Sequence, residues 1–258
     1  MKIAKNVIVS LDESDEKELF IPKTVTNIIF YIDEVALHLP YIKKVSVEEG
    51  NPVFTVKNGC LIDTPNKTLM IATDNAVIPD DGSVEIIAAY AFHMHSVKSI
   101  VIPESVREIG YMAFASLNCK EDMPVPLTVK IPKSVEKIWS RAFFMNGNLT
   151  LNTGDNAHYY MEGGCLIERA TGKFICALGK DIVVPDCVKT LPACAFLCQE
   201  HETITLSANI TKIYQDAFKL CGIRDGEGTI VTPCTVYAPK NTYVWRYLVR
   251  NKIQRKAV

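Results

Sequence analysis

One short phrase recurs along this chain with apolar residues at the same positions in each copy. Residues 102–115 read "IPESVREIGYMAFA", and residues 131–144 read "IPKSVEKIWSRAFF". Further copies begin at Val184 and at Leu206, where Ser207 takes the place of proline. In all four copies the phenylalanine follows the proline position by 11 residues. A unit this short cannot bury its own apolar face, so the repetition predicts copies stacked around a continuous core.

Two looser copies extend the pattern towards the N-terminus. One runs from Ile78 to Phe92 and is two residues longer, around Asp81 and Gly82. The other, "FIPKTVTNIIFYIDEVAL", keeps the apolar and proline positions but lacks the Ala-Phe pair. We therefore predict repeats over residues 19–234.

A second kind of unit lies between these copies. "NPVFTVKNGCLIDTPNKTLMIA" (51–72) aligns with "NAHYYMEGGCLIERATGKFICA" (156–177), and both contain Gly-Cys-Leu-Ile. Turn-forming residues at 64–67 and 169–172 separate the apolar runs. Each block is therefore predicted to form a β-hairpin or a pair of short strands.

The local periodicity predicts the conformation of each copy. "SIVIP" (99–103), "TVKIP" (128–132), "DIVVP" (181–185) and "TITLS" (203–207) alternate in polarity as short strands do. Proline then ends the strand, because it has no N–H to continue a ladder. The Val, Ile and Ala-Phe positions that follow predict a compact turn or short helix with one buried face.

Unit lengths of 22 residues (Phe92 to Phe114) and 29 residues (Phe114 to Phe143) are typical of leucine-rich repeats, which measure about 20–29 residues. "IPESVREIGYMAFASLNC" resembles the repeat of the BspA-type leucine-rich-repeat family. The "NPVF…GCLID" block resembles a hairpin-bearing variant repeat of that family, and "TVYAPKNTYVWRYLVRNK" resembles its closing unit. The resemblance covers about residues 19–250.

The resemblance implies an α/β leucine-rich-repeat solenoid. Short parallel strands would line a concave face, with turns, short helices and two β-hairpin insertions outside. The whole chain, 1–258, would be a single solenoid with an N-terminal cap region at 1–18 and a closing unit at 235–258. "LDESDEKEL" (11–19) would shield one end, and a short helix with apolar Val244, Leu248 and Val249 would cover the other.

A concave face would carry the alternating strand residues that point away from the core. We predict this stripe as the candidate partner-binding surface. It consists of Phe20, Ser46, Val77, Val101, Lys130, Thr150, Val183, Thr205 and Tyr237.

Composition excludes several classes of function. The net charge is −1, which gives no electrostatic reason to expect nucleic acid as a partner, and no apolar run is long enough to span a membrane. The N-terminal "NVIVSL" is too short and too soon followed by acids for a signal peptide. We expect a cytoplasmic protein as written, or a secreted or cell-surface protein if a leader is missing. The nine cysteines, mostly beside apolar residues, are expected to be reduced and structural.

No arrangement of residues predicts catalysis, a metal site or a cofactor. His93 and His95 flank one methionine but have no third ligand nearby, and we expect them in an exposed turn. The spacing of Cys187, Cys194 and Cys198 is not a zinc spacing, and these cysteines replace ordinary residues of sister copies. The five histidines are scattered over different units, so no nucleophile-histidine-acid set is indicated.

Function is therefore expected from a surface. We predict a non-enzymatic protein-interaction module, since solenoids offer extended surfaces whose side chains select a partner. The family resemblance implies an adhesin-like role on a bacterial or protist surface, and an intracellular scaffold is the equal alternative. A carbohydrate-binding or small-ligand-binding protein is the second class. The sequence identifies neither the partner nor the oligomeric state.

Overall fold

The computed structural model describes residues 2–4, 7–10, 18–28, 42–74, 76–117, 126–146, 149–196, 200–219, 221–224 and 230–258. The chain divides into two compact units, Met1–Phe144 (unit 1) and Met145–Val258 (unit 2). Most of the predicted cap "LDESDEKEL" lies outside the described residues, as does the second half of the first repeat copy.

Unit 1 is built from short strands joined by turns. Its strands are β1 (Lys2–Ala4), β2 (Val7–Ser10), β3 (Glu18–Ile21), β4 (Asn27–Ile28), β5 (Lys44–Val47), β6 (Phe54–Lys57), β7 (Cys60–Asp63), β8 (Thr68–Ala72), β9 (Ile86–Ile87), β10 (Glu108–Ile109), β11 (Leu127–Lys130) and β12 (Lys137–Ile138). β3 pairs with β5 in parallel. A six-stranded sheet has the order β12-β10-β9-β8-β7-β6, and β8, β9, β10 and β12 run parallel.

Unit 2 repeats this construction and adds a helix. Its elements are β13 (Leu149–Asn152), β14 (Tyr159–Glu162), β15 (Cys165–Glu168), β16 (Lys173–Ala177), β17 (Asp181–Val183), β18 (Thr190–Leu191), β19 (Thr203–Thr205), β20 (Lys212–Ile213), β21 (Gly222–Arg224), β22 (Ile230–Pro233), β23 (Thr235–Ala238), α1 (Tyr243–Arg250) and β24 (Arg255–Ala257). β17, β19, β23 and β24 form a parallel sheet in that order. β18 pairs with β20 in parallel.

The repeat phrase forms turns where short helices were expected. The residue before each Ala-Phe pair has a left-handed backbone, with φ of 62° at Tyr90, 51° at Met112, 60° at Arg141, 58° at Cys194 and 57° at Asp216. A left-handed residue in each of these five copies prevents the run of right-handed residues that a helix needs. The predicted α/β class with short helices outside is therefore not confirmed, because α1 is the one helix among the described residues.

The strand predictions succeed in part. The strands expected at 128–132, 181–185 and 203–207 are confirmed as β11, β17 and β19. "SIVIP" (99–103) forms no strand. Its copy pairs instead through the two residues of β10, which hydrogen-bond to both β9 and β12.

A stack of phenylalanine rings runs through the core of unit 1. Phe92, Phe114 and Phe143 are fully buried, and Phe114 lies between the other two with ring centroids at 5.1 and 5.5 Å. In unit 2, Phe196 and Phe218 stack at 5.2 Å. The Ala-Phe positions of the repeat are thus the core contacts between successive copies.

The two hairpin blocks are confirmed, and each contains a third strand. β6, β7 and β8 are antiparallel, as are β14, β15 and β16. Because β8 also pairs with β9, the block of unit 1 is part of the repeat sheet and is not an insertion outside it. Gly59 and Gly164, which align in sequence, both adopt a φ of 79° that favours glycine.

An asparagine anchors each block. The Oδ1 atom of Asn156 accepts hydrogen bonds from the backbone N–H groups of His158 and Tyr159, both at 2.8 Å. Asn51 makes the equivalent pair of bonds to Val53 and Phe54 at 2.9 and 2.8 Å. These bonds satisfy backbone donors where each block begins.

The predicted C-terminal helix is confirmed as α1. Its N-cap is Thr242, whose Oγ1 accepts a hydrogen bond from the N–H of Trp245 at 3.1 Å. Val244 and Leu248 are fully buried, as expected of residues that cover the core. The prediction for Val249 is wrong, since this side chain is 44% exposed.

Candidate partner-binding surface

Three residues of the predicted stripe form one row in unit 2. Val183, Thr205 and Tyr237 are register partners on β17, β19 and β23, and Lys256 on β24 continues the row. Adjacent strands lie about 4.8 Å apart, so the row is about 14 Å long. Val183 is 54% exposed, and Thr205 and Tyr237 are partly exposed.

A polar row lies two residues earlier on the same strands. Asp181, Thr203 and Thr235 are register partners, and Gln254 comes next to Thr235. Thr203 Oγ1 donates to Asp181 Oδ1 at 2.5 Å, and Gln254 Nε2 donates to Thr235 Oγ1 at 2.7 Å. These bonds run across the strands and hold the side chains of neighbouring copies in place. The surface therefore offers an ordered set of hydroxyl, amide and carboxylate groups beside the first row.

Sequence reasoning missed Gln254 and Lys256. Both lie beyond the last recognisable phrase, in "NKIQRKAV", where no proline or Ala-Phe pair marks a copy. The sequence offers no strand signal here, because Gln254, Arg255 and Lys256 are all polar and do not alternate with apolar residues. In the structure the Lys256 ammonium lies 5.9 Å from the centroid of the Tyr237 ring, within the range of a cation–π contact.

In unit 1, two predicted stripe residues are neighbours. Phe20 on β3 and Ser46 on β5 are register partners, and Phe20 is 48% exposed. Ser46 Oγ donates to Glu18 Oε1 at 3.1 Å, and Lys44 Nζ lies 2.7 Å from the same oxygen. The hydrogen bond from Lys44 is the main cause that lowers the pKa of Glu18. An exposed aromatic ring thus lies beside a fixed ion pair.

The other predicted stripe residues lie apart from these rows. Val77 and Val101 are 59% and 73% exposed but lie outside the strands, so no strand register joins them. Lys130 on β11 and Thr150 on β13 are exposed strand residues. All nine stripe positions are at least partly exposed, and their role in binding stays a prediction.

The prediction that His93 and His95 lie in an exposed turn is wrong. His93 is buried, with Nδ1 3.2 Å from the carbonyl oxygen of Ala115, and its ring packs edge-on against Tyr90. His95 is fully buried, and its Nδ1 lies 3.1 Å from Asp74 Oδ1. Both histidines therefore link neighbouring copies within the core.

Asp74 is held by charge and by hydrogen bonds. Its carboxylate accepts from the N–H of Ser96 at 2.9 Å and pairs with Lys43. Burial raises the pKa of Asp74, but the bonds from Lys43, Ser96 and His95 outweigh burial and lower it overall. The group is a structural polar network of unit 1.

The described cysteines are free thiols. They are Cys60, Cys165, Cys176, Cys187, Cys194, Cys221 and Cys234; Cys119 and Cys198 lie outside the described residues. Burial raises the pKa of Cys60 and of Cys176 to about 12, so neither thiol is activated as a nucleophile. Cys187 is exposed, and its Sγ lies 3.2 Å from the hydroxyl of Tyr160.

Neither a metal-ligating cluster nor a membrane-spanning helix is present in the part of the chain that the structure describes. These residues contain no group of three or more His, Cys, Asp or Glu side chains able to hold a metal ion. No described helix has the length and apolar character needed to cross a membrane.

Copies of one phrase that pair through parallel strands and stack their phenylalanines in a shared core define a solenoid repeat protein. A model of the BspA-type leucine-rich repeat region matches residues 70–168 and 128–236, with six copies. The chain belongs to the BspA-type leucine-rich-repeat family, as the sequence phrases predicted. No curated protein sequence matches it.

Three solved structures are similar to this chain. Pneumococcal vaccine antigen PcpA shares 16% identity, covering 93% of this chain and 55% of that one, with a TM-score of 0.41. A leucine-rich repeat protein from Eubacterium ventriosum shares 16% identity, and the match covers 89% of this chain and 63% of that one with a TM-score of 0.49. A leucine-rich cell surface protein from Faecalibacterium prausnitzii shares 20% identity, and the match covers 85% of this chain and 63% of that one with a TM-score of 0.41. This chain thus spans only 55–63% of their lengths.

Proposed function

We propose that this protein is a non-enzymatic protein-interaction module that binds its partner through the predicted stripe. The observation that carries the proposal is the in-register row of Val183, Thr205 and Tyr237, which presents an aliphatic, a hydroxyl and an aromatic side chain together. Exposed apolar side chains grouped on one surface tend to mark interfaces on soluble proteins. Tyrosine is also among the residues enriched at interface hot spots.

The preorganised polar row supports the same proposal. Thr203 and Gln254 are already hydrogen-bonded to their neighbours across the strands, so little side-chain entropy is lost on binding. Family membership agrees with a binding role, because repeat proteins act through the side chains on an extended surface. A single solenoid over residues 1–258 would extend the stripe to the positions of unit 1.

An adhesin-like role outside the cell is the form of this function that we favour over an intracellular scaffold. The comparisons give no support to the cytoplasmic prediction, and two of the similar structures are named as a vaccine antigen and a cell surface protein. Protease treatment of intact source cells tests the compartment. Loss of the protein from intact cells is expected, and complete protection would favour the scaffold.

Paired substitutions test the binding surface. Val183→Asp combined with Tyr237→Ala is expected to abolish recovery of the partner enriched by the wild-type protein, because a buried charge and a lost anchor each cost about 2 kcal/mol or more at an interface. Thr190→Asp is the matched control, since Thr190 is an exposed strand residue of unit 2 outside the stripe. Unchanged recovery with a folded double variant would exclude the stripe.

A carbohydrate-binding or small-ligand-binding function is the second candidate. It is favoured by an open cavity of about 480 Å³ in unit 1, lined by residues that include Glu48, Asn51, Phe54 and Thr64. Drug-sized ligands occupy cavities of about 300–1,000 Å³. A ligand at 100 times its Kd adds about 2.7 kcal/mol of stability, so a rise in Tm with a sugar panel would select this function over protein binding.

A further inference from the structure

The C-terminal end of unit 2 is strongly basic, although the whole chain has a net charge of −1. Residues 230–258 contain six basic side chains and no aspartate or glutamate. This basic cluster consists of Lys240, Arg246, Arg250, Lys252, Arg255 and Lys256. None of the six makes an ion pair with a described residue, and five are exposed while Arg255 is partly exposed. The cluster is therefore a concentration of unneutralised positive charge around α1 and β24.

Two of the guanidinium groups are already oriented. Arg246 Nη1 donates to the carbonyl oxygen of Asn241 at 3.3 Å, and Arg255 Nη1 donates to that of Ile253 at 3.1 Å. The Arg255 guanidinium also lies 5.6 Å from the centroid of the Trp245 ring. Each of these two guanidinium groups still has N–H donors for a carboxylate. Because its side chain is already held, it loses less conformational entropy on binding than a freely rotating arginine would.

The same region contains a sheet edge that no described residue covers. β24 is the last strand of the parallel sheet and pairs only with β23 among the described strands. At the opposite end of that sheet, Val183 on β17 donates its N–H to the carbonyl oxygen of Gly163 at 2.8 Å, so β17 is covered by the hairpin block. The two edges therefore differ, and β24 is the one able to accept a further strand.

The hydrogen bonds of β24 identify its free backbone groups. Val236 N donates to Gln254 O at 3.0 Å, and Val258 N donates to Ala238 O at 3.3 Å. Backbone groups alternate in direction along a strand, so the N–H and C=O groups of Arg255 and Ala257 point away from β23. Lys256, between them, lies beside Tyr237 on the outward-facing row.

We propose that β24 binds an extended acidic peptide segment of a protein partner, which adds to the sheet as a strand. The peptide backbone pairs with Arg255 and Ala257, and its acidic side chains face Lys256 and the rest of the basic cluster. Strand addition combines backbone hydrogen bonds for affinity with side-chain contacts for specificity. Membrane docking is disfavoured, because Val244 and Leu248, the apolar face of α1, are used by the core. This site adjoins the proposed stripe at Tyr237 and Lys256, but strand addition uses the backbone edge of β24, which binding through the stripe does not require.

The free edge distinguishes a peptide from other polyanions. Heparin and single-stranded DNA carry negative charge but lack a peptide backbone, so they gain nothing from the N–H of Ala257. Ala257→Pro removes that N–H and leaves the bonds to β23 intact, and proline is tolerated at a strand edge that faces solvent. Lys256→Glu reverses the central charge. Lys173→Glu, at an exposed lysine of β16, is the matched charge control.

Fluorescence titration with a synthetic peptide of alternating Glu and Val tests the proposal, with Trp245 fluorescence and circular dichroism as checks of folding. Saturable binding is expected to weaken about tenfold in Ala257→Pro, which loses one backbone hydrogen bond, and by at least as much in Lys256→Glu, which sets a like charge against the peptide. It should be unchanged in Lys173→Glu. Heparin affinity should be equal for wild type and Ala257→Pro.

Three results would overturn it. The first is that Ala257→Pro binds the peptide as tightly as the wild type does, or that the wild type binds a backbone N-methylated peptide as tightly as the unmodified one. Charge alone would then explain binding. The second is no peptide binding at low salt while heparin or DNA binds. The third is a dimer of the chain that Ala257→Pro abolishes, which would assign the edge to a second copy of this protein.

Discussion

The phenylalanine stack of unit 1 allows the contribution of a single repeat position to the free energy of unfolding to be measured. Phe114 is fully buried between Phe92 and Phe143, with centroid distances of 5.1 and 5.5 Å. Truncating a buried Phe to Ala costs about 3–5 kcal/mol through lost transfer free energy and the cavity left behind. The loss of two stacked pairs, each worth about 0.5–1.5 kcal/mol, puts Phe114→Ala at the upper end, near 5 kcal/mol. Phe114→Leu keeps most of the volume and should cost about 1–2 kcal/mol.

The two tryptophans allow each unit to be observed separately. Trp139 lies in unit 1 and Trp245 in unit 2. Trp139 Nε1 donates to Glu108 Oε1 at 2.6 Å, and Lys137 Nζ lies 4.2 Å from its ring centroid. Its emission should therefore change when β10 and β12 separate. In a Trp245→Phe background, urea unfolding then reports on unit 1 alone.

With an m value of about 2 kcal/mol/M, Phe114→Ala should lower the urea midpoint by about 2.5 M and Phe114→Leu by about 0.5–1 M. Val101→Ala is the control, because a side chain that is 73% exposed should cost less than about 0.5 kcal/mol. Equal shifts for Phe114→Ala and Val101→Ala would refute the burial argument. An unchanged midpoint in Phe114→Leu, which loses both ring stacks but keeps most of the volume, would refute the stacking argument.

Further predictions concern a buried amide, a buried imidazole and the thiols. Asn156→Ala leaves two backbone N–H groups without their acceptor and should cost about 2–4 kcal/mol in urea unfolding; a loss under about 1 kcal/mol would mean that water replaces the side chain. Burial lowers the folded-state pKa of His201 below 6.5, so the unfolded chain binds the proton more readily and stability should fall as pH decreases below about 6.5. His201→Gln should flatten that dependence, and an identical pH profile would contradict the assignment. Native iodoacetamide labelling followed by mass spectrometry should modify exposed Cys187 well before buried Cys176, whose pKa is raised to about 12; comparable rates would contradict the burial argument.

The buried positions of this fold were predictable because they follow from periodicity. Ile109, Phe114, Ile138 and Phe143 recur at fixed spacing, and all four are buried. The left-handed turn before each Ala-Phe pair was not predictable. The residues at that position in successive copies are Tyr90, Met112, Arg141, Cys194 and Asp216, and none of them is the glycine that usually marks a positive φ.

The candidate surface was predictable only where the phrase persists. Val183, Thr205 and Tyr237 align because their copies keep strand-like alternation. The position of Lys256 in this row was not predicted, because a helix and a stretch without the repeat phrase separate it from the last recognisable copy. The burial of His95 was not predicted because its partly buried partner, Asp74, lies 21 residues earlier and in another copy.

The sequence by itself determined which apolar positions of the repeat are buried and how far apart the copies lie. The spacings of 22 and 29 residues reappear as the register of Glu108 with Ile86 and with Lys137. Burial of a repeated apolar letter is a local property, since it depends on the residue type and its period. The tertiary structure decided the backbone of the turns, the position of Lys256 and the place of β24 at an edge of its sheet among the described strands. These depend on hydrogen bonds between copies, such as that from Phe92 N to Ala113 O at 2.7 Å, whose partners only the stacked fold brings together.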